Sequence, residues 1–179
     1  MAPAPNRKLN YSFIAATPND GKRYELVDGE LFVNPAPSLM HQRVSKRLFR
    51  MLEDFFQSRS IGEVFYAPLD VILTDHDVFE PDLLVVGDPA HTSARGVEAP
   101  PLLAVEILSP STQHLDRKVK FLRYATLGIQ HYWIVDPDAK QVECFRLADG
   151  EYLLLLRGDE SLKHPDWDGL VLDLAALWS

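Results

Sequence analysis

The chain has 179 residues, 46% of them apolar and 25% charged, with a formal net charge of −8. That size and balance give one ordinary globular domain with a real core. The net charge argues against a general nucleic-acid binder. A single cysteine, Cys144, excludes an internal disulfide and any cysteine-built zinc site. No apolar run approaches the ~20 residues needed to span a bilayer. The opening "MAPAPNRKLN" has no apolar signal core. A cytoplasmic protein is therefore expected, with residues 1–10 as a flexible arm and 11–179 as one domain.

In chain order, residues 11–16 form a short helix closed by "TPNDG". "YELVDGELFV" reads as a hairpin turning at Asp28-Gly29, a pair suited to the positive φ of a type I′ turn. In that register Tyr24, Leu26, Leu31 and Val33 share an apolar face, and Glu25 and Glu30 lie on the other. Ser38 is placed to cap a helix over 39–57, whose apolar stripe is Val44, Leu48, Met51, Leu52 and Phe55. "EVFYAPLDVIL", "PDLLVV" and "PLLAVEIL" predict three strands. The long polar loop 87–100 between the last two is expected to be a mobile flap. "STQHLDRKVKFLRYATLG" predicts a helix ended by Gly128. Three strands follow, "IQHYWIVDP", "QVECFRL" and "EYLLLL", with Asp149-Gly150 turning between the last two. The tail "GLVLDLAALW" reads as a strand and then a helix turn. The fold class is mixed α/β: a mixed sheet flanked by helices, with hairpins at each end.

Two carboxylates stand where a core strand should be apolar. Asp82 opens the strand Leu83–Val86, and Glu106 is set among Leu103, Val105, Ile107 and Leu108. Adjacent strands lie ~5 Å apart, so the two can converge. Anions held together away from water repel unless a proton or a cation intervenes. An oxygen-only donor set suits a hard ion, Mg²⁺ or Mn²⁺, which would activate water and stabilise a phosphoryl group. Asp116, Lys120 and Tyr124 follow at i, i+4 and i+8, so they line one face of the next helix. Asp116 and Lys120 also make an ordinary i, i+4 pair.

Taken together, "PDLLVV", "VEILSPST" and "DRKVKFLRYATLGIQHYWIVDP" resemble the bacterial restriction-endonuclease family of the Uma type, and the chain is similar to the PD-(D/E)XK nuclease superfamily. The resemblance runs from "YELVDGEL" to "YWIVDP" and on toward the C-terminal hairpin. It implies a restriction-endonuclease-like fold, a divalent metal, phosphodiester hydrolysis and a homodimer. Asp82 and Glu106 would be the motif acids and metal ligands, joined by the backbone carbonyl of Ile107. The motif lysine should stand two residues after the glutamate, where this chain has Leu108; the resemblance assigns the amine to Lys120 instead. Lys118, the fallback, points ~200° around the helix from Lys120. Glu25, His41, Asp116 and Tyr124 match further site positions.

Several readings stay open on residues alone. Glu25 reads equally as a solvent-facing strand carboxylate, His41 as a local hydrogen-bonder and Asp70 as an edge or turn residue. Arg43, Lys46, Arg47 and Arg50 form one basic ridge, and Arg117, Lys118, Lys120 and Arg123 crowd a second helix. They are either solvated faces or phosphate-tracking surfaces for DNA. Ser109, Ser111 and Thr112 lack a nucleophile elbow and read as helix-entry residues. The alternative to a nuclease is a catalytically silent binding module that keeps the nuclease fold.

Overall fold

The computed structural model describes residues 8–179. The elements are, in order, α1 (Tyr11–Ile14), β1 (Arg23–Val27), β2 (Glu30–Asn34), α2 (Leu39–Ser58), β3 (Glu63–Tyr66), β4 (Val71–Thr74), β5 (Asp77–Phe79) and β6 (Leu83–Val86). Two short strands, β7 (Thr92–Ser93) and β8 (Gly96–Val97), precede β9 (Leu103–Ile107). A π-helical turn, Leu115–Lys120, runs into α3 (Phe121–Thr126). Then come β10 (His131–Asp136), β11 (Gln141–Ala148), β12 (Glu151–Gly158), β13 (Ser161–Lys163), β14 (Val171–Asp173) and α4 (Leu174–Trp178).

The central sheet has the order β12-β11-β10-β9-β6-β3. β9 and β10 are parallel, and the helix between them makes the crossover such a pair requires. All other pairings in this sheet are antiparallel. A second six-stranded sheet, β2-β1-β5-β4-β8-β7, was not expected. It arises because "EVFYAPLDVIL" is two strands, β3 and β4, in different sheets, with a bend at Ala67-Pro68 in the link between them. Pro68 has no N–H to donate to a ladder, so the break falls where the sequence carries it.

Strand alternation divides the central sheet into two faces. Leu83, Val85, Leu103, Val105, Ile107, Trp133 and Val135 pack against Val44, Leu48 and Leu52 of α2 and against the C-terminal segment. Leu84, Val86, Ala104, Leu108, Tyr132 and Ile134 face the crossover helix and the second sheet. α2 is capped as expected, Ser38 Oγ accepting from the His41 N–H at 3.2 Å. Arg47 donates to the Leu177 carbonyl at 3.1 Å and so ties α2 to α4. Cys144 is buried in the apolar face, and burial pushes its thiol up.

The β1–β2 turn has Asp28 at φ 51° and Gly29 at φ 80°, the backbone expected for the pair. The paired register also agrees: Tyr24↔Val33 and Leu26↔Leu31 share one face. Two expectations need correction. Of the flexible arm, residues 1–7 lie outside the described residues, but 8–10 are tied down. The Leu9 N–H donates to Gly29 O at 3.0 Å, and Lys8 pairs with Asp28 at 2.6 Å. The loop 87–100 is not a loose flap. The Val97 N–H donates to the Asp70 carbonyl at 2.9 Å, and a Cβ on Gly96 would collide with that same oxygen. Among the described residues no helix is long and apolar enough to cross a membrane.

Candidate active site

The β6–β9 register runs Val85↔Leu103, Leu84↔Ala104, Leu83↔Val105. One step further sets Asp82 opposite Glu106. Residues directly opposite in an antiparallel pair point to the same face. Asp82 and Glu106 therefore both leave the apolar face and project toward the crossover helix. Asp82 is 4% exposed and Glu106 2%.

Each carboxylate has its own set of partners. Asp82 Oδ1 accepts from Arg23 Nη1 at 2.6 Å. Its Oδ2 accepts from the Ile107 N–H at 2.8 Å and from His41 Nε2 at 3.0 Å. An ionised carboxylate only accepts, so His41 Nε2 carries the proton of that bond. Burial opposes the Asp82 charge, but His41, Arg23 and the Ile107 N–H outweigh it and hold the carboxyl below its usual range. Glu106 Oε1 accepts from Lys120 Nζ at 2.9 Å and from Tyr124 Oη at 2.8 Å. Burial, with Asp116, Asp82 and Glu25 nearby, pushes the Glu106 carboxyl well up, and Lys120 offsets only part of this.

Lys120 is 2% exposed and sits among three acids. Its Nζ lies 2.7 Å from Glu25 Oε1, 2.9 Å from Glu106 Oε1 and 3.7 Å from Asp116 Oδ1. Burial alone would strip its proton, but those carboxylates push it up, so it stays an ammonium. Burial raises the Asp116 carboxyl to about 6 and the Glu80 carboxyl to about 7. For Glu80 the Glu25 and Asp70 charges add to the rise, and its Oε2 is buried without a partner.

The structure thus brings together Asp82, Glu106, Lys120, Glu25, His41, Asp116 and Tyr124, with the Ile107 backbone beside Asp82. Glu25 is not a solvent-facing carboxylate; it is 1% exposed. Asn34 Nδ2 donates to it at 2.6 Å and the Glu80 N–H at 2.8 Å. The hairpin face read as non-apolar is buried because it closes over the site. His41 is more than a local hydrogen-bonder, since its ring reaches Asp82. Asp70 directly precedes β4, its backbone carbonyl accepting from the Val97 N–H, and burial and the Glu25 charge raise its carboxyl. Three site residues were missed: Arg23, Asn34 and Glu80. Alternation held the signal for Arg23, which shares a face with Glu25 two residues on.

The basic residues divide. Arg117 pairs with Glu143, and with Asp136 at 3.5 Å. Arg123 forks onto Asp77 with two bonds of 2.7 Å. Both are structural, as is Arg47 on Leu177. Arg43, Lys46, Arg50 and Lys118 are exposed, and none of them forms an ion pair among the described residues. A cleft of about 420 Å³ opens over the Asp82 half of the site, lined by Arg23, Tyr24, His41, Gln42, Tyr66 and Glu80. On α2, Lys46 stands one turn from Gln42. Arg43 and Arg50 lie further round, ~80–100° from Gln42, so most of the ridge points away from the cleft.

Residues 11–175 match the family model described as "Uma2: Putative restriction endonuclease". Two uncharacterised proteins of Synechocystis sp. are similar. One is 28% identical over 137 residues, 75% of this chain and 72% of that protein. The other is 29% identical over 139 residues, 74% of this chain and 77% of that protein. The fold resembles the crystal structure of a "putative nuclease" from Anabaena variabilis. That match has a TM-score of 0.75 and 20% identity, over 95% of this chain and 97% of that one. At that identity the likeness is one of fold, and it agrees with the restriction-endonuclease-like architecture. The match to the family model spans most of the chain, and the chain belongs to the Uma2 family.

Proposed function

We propose that this protein hydrolyses phosphodiester bonds of nucleic acid, DNA foremost, with Mg²⁺ or Mn²⁺ held by Asp82, Glu106 and the Ile107 carbonyl. One observation carries the reading: the two strand acids face each other at the sheet end, and Lys120 of the next helix donates to Glu106 at 2.9 Å. The residues fit a hard divalent ion. Glu25, Asp70, Glu80, Asp82, Glu106 and Asp116 gather around only Lys120, Arg23 and His41. Both donors to Glu106 use Oε1, and Glu80 Oε2 has none. An oxygen-rich, electron-rich pocket with spare lone pairs is what such an ion requires.

When bound, the ion would supply an activated water and charge neutralisation at the phosphoryl group. The chain's own residues set the geometry. Tyr124 and Lys120 fix the Glu106 carboxylate, and the Lys120 ammonium is placed to orient the attacking water or to meet developing charge. That amine repairs the departure at Leu108, since it reaches Glu106 from the helix rather than from the strand. His41 and the Ile107 N–H orient Asp82. Arg23, at the cleft, is placed to take a phosphate oxygen once its hold on Asp82 loosens. The exposed Lys46, Arg43, Arg50 and Lys118 would add backbone attraction, and a homodimer would present two sites to two strands.

Supercoiled plasmid incubated with Mg²⁺ or Mn²⁺ tests this. Nicking is expected, and Asp82→Ala should abolish it. Activity that survives EDTA overturns the metal mechanism. Metal binding at these acids without turnover on any nucleic acid would instead identify the silent binding module. Sedimentation of the full chain tests the dimer.

A further inference from the structure

The apolar face of the central sheet carries a second constellation that the nuclease reading does not use. His131 opens β10, and His164 and Asp166 lie in the connection between β13 and β14. One ligand atom from each of the three falls within 4.8 Å of the others. The geometry points to a transition-metal site of the Zn²⁺ class here, built from two imidazoles and one carboxylate, which clamps the β13–β14 hairpin onto the central sheet.

Three observations support it. His131 is 7% exposed and His164 2%, and each buries a ring nitrogen with no hydrogen-bond partner: Nδ1 of His131 and Nε2 of His164. Buried polar atoms without partners are uncommon in a native fold, and an absent ion is one cause of them. Asp166 is already oriented as a ligand. Arg146 donates to its Oδ1 at 2.7 Å, leaving Oδ2 toward His131 Nδ1, 4.0 Å away. The walls are aromatic: Trp167 packs on His164 and on His131 with centroids 4.3 Å apart in both cases, and Trp133 stacks on His164 at 5.5 Å.

The chemistry differs from that at Asp82 and Glu106. Imidazole nitrogen suits Zn²⁺, Ni²⁺ or Cu²⁺ over Mg²⁺. Tetrahedral zinc with ~2.0–2.1 Å bonds sets neighbouring ligands ~3.4 Å apart, so the three groups need to close by roughly an ångström. The side chain of Asp166 is partly exposed, which leaves room for water as a fourth ligand. The clamp joins residues more than thirty positions apart in the chain, the first strand residue of β10 to the last hairpin.

The test uses the full chain without a histidine tag, in an Asp82→Asn/Glu106→Gln background that disables the carboxylate site. Co²⁺ serves as the spectroscopic probe and Zn²⁺ as the ligand in calorimetry and thermal melts. We expect one Co²⁺ per chain with tetrahedral d–d absorption, quenched tryptophan emission, and a melting temperature raised by about 5–10 °C at saturating Zn²⁺. His164→Gln should weaken binding by ~100-fold or more and remove the melting shift. Asp166→Asn, a partly exposed position whose change should leave the fold intact, should weaken binding by at least ~10-fold. Binding untouched by both substitutions, or no Co²⁺ or Zn²⁺ binding at all by the folded double variant, overturns the site.

Discussion

The two faces of the central sheet are made by the same strands and do opposite work. Along β6 and β9, Leu83, Val85, Val105 and Ile107 go to one face, and Asp82, Leu84, Ala104 and Glu106 to the other. Both faces are buried, but only one is apolar along its length. The first face gains from dispersion and water release. The second holds Glu106 and Asp116, whose carboxyls burial and mutual repulsion drive toward protonation, with Lys120 as the internal counter-ion. A native fold keeps such a costly arrangement where the charges are needed, and here it lies one residue away from ordinary core.

This contrast can be broken by substitution. Asp82→Ala or Glu106→Ala should remove nuclease turnover to background, read by plasmid nicking, while circular dichroism stays native. Leu83→Ala or Val105→Ala, on the other face of the same strands, should do the reverse. Each should cost about 2–5 kcal/mol in a urea melt, with activity per folded molecule largely kept. Equal effects from both faces would dissolve the distinction. Lys120→Ala joins the two effects: it strands Glu25 and Glu106, should destabilise by about 3–5 kcal/mol, and should lower turnover as well.

The acidic face should also respond to pH. Glu80 rises to about 7 and Asp116 to about 6 when folded, so the native state binds more protons than the unfolded chain above the ordinary carboxylate range. The stability these groups add is fully present below about pH 4 and is lost as pH rises through about 6–7. The metal-free protein should therefore melt lower at pH 8 than at pH 5.5. Ionised Glu80 and Asp116 would attract a Mn²⁺ ion held nearby more than their protonated forms do, so its affinity should rise over the same interval, which calorimetry at pH 5.5 and pH 8 would show. Tyr124→Phe removes one donor to Glu106 and should cost about 1–2 kcal/mol with native metal binding. Neutralising Arg43, Lys46 and Arg50 together should have the smallest effect. The log–log salt slope of DNA binding should become shallower by about 0.9 for each phosphate those side chains neutralise in the native protein.

Local chemistry was legible in the residues. The Asp28-Gly29 turn, the Ser38 cap, the apolar stripe of α2 and the oddity of Asp82 and Glu106 each follow from a few neighbouring positions. The i, i+4, i+8 line of Asp116, Lys120 and Tyr124 survives because the helix, despite its π-helical start, keeps all three on the face toward Glu106. What stayed hidden is pairing at a distance. Nothing in "EVFYAPLDVIL" says that its halves join different sheets. The second sheet is what covers Glu25 and brings Glu80 and Asp70 beside it. The basic residues show the same limit. Arg47, Arg117 and Arg123 look like surface charge in sequence, and their acceptors, Leu177, Glu143 and Asp77, lie far along the chain.

The nuclease reading requires Asp82 and Glu106 to hold one divalent cation between them. A crystal soaked in Mn²⁺ and measured at the manganese edge tests this most directly. An anomalous peak is expected at bonding distance from both carboxylates, with Arg23 shifted off Asp82 Oδ1. A well-ordered crystal with no peak there, and with Arg23 still seated on Asp82 at saturating Mn²⁺, would contradict it.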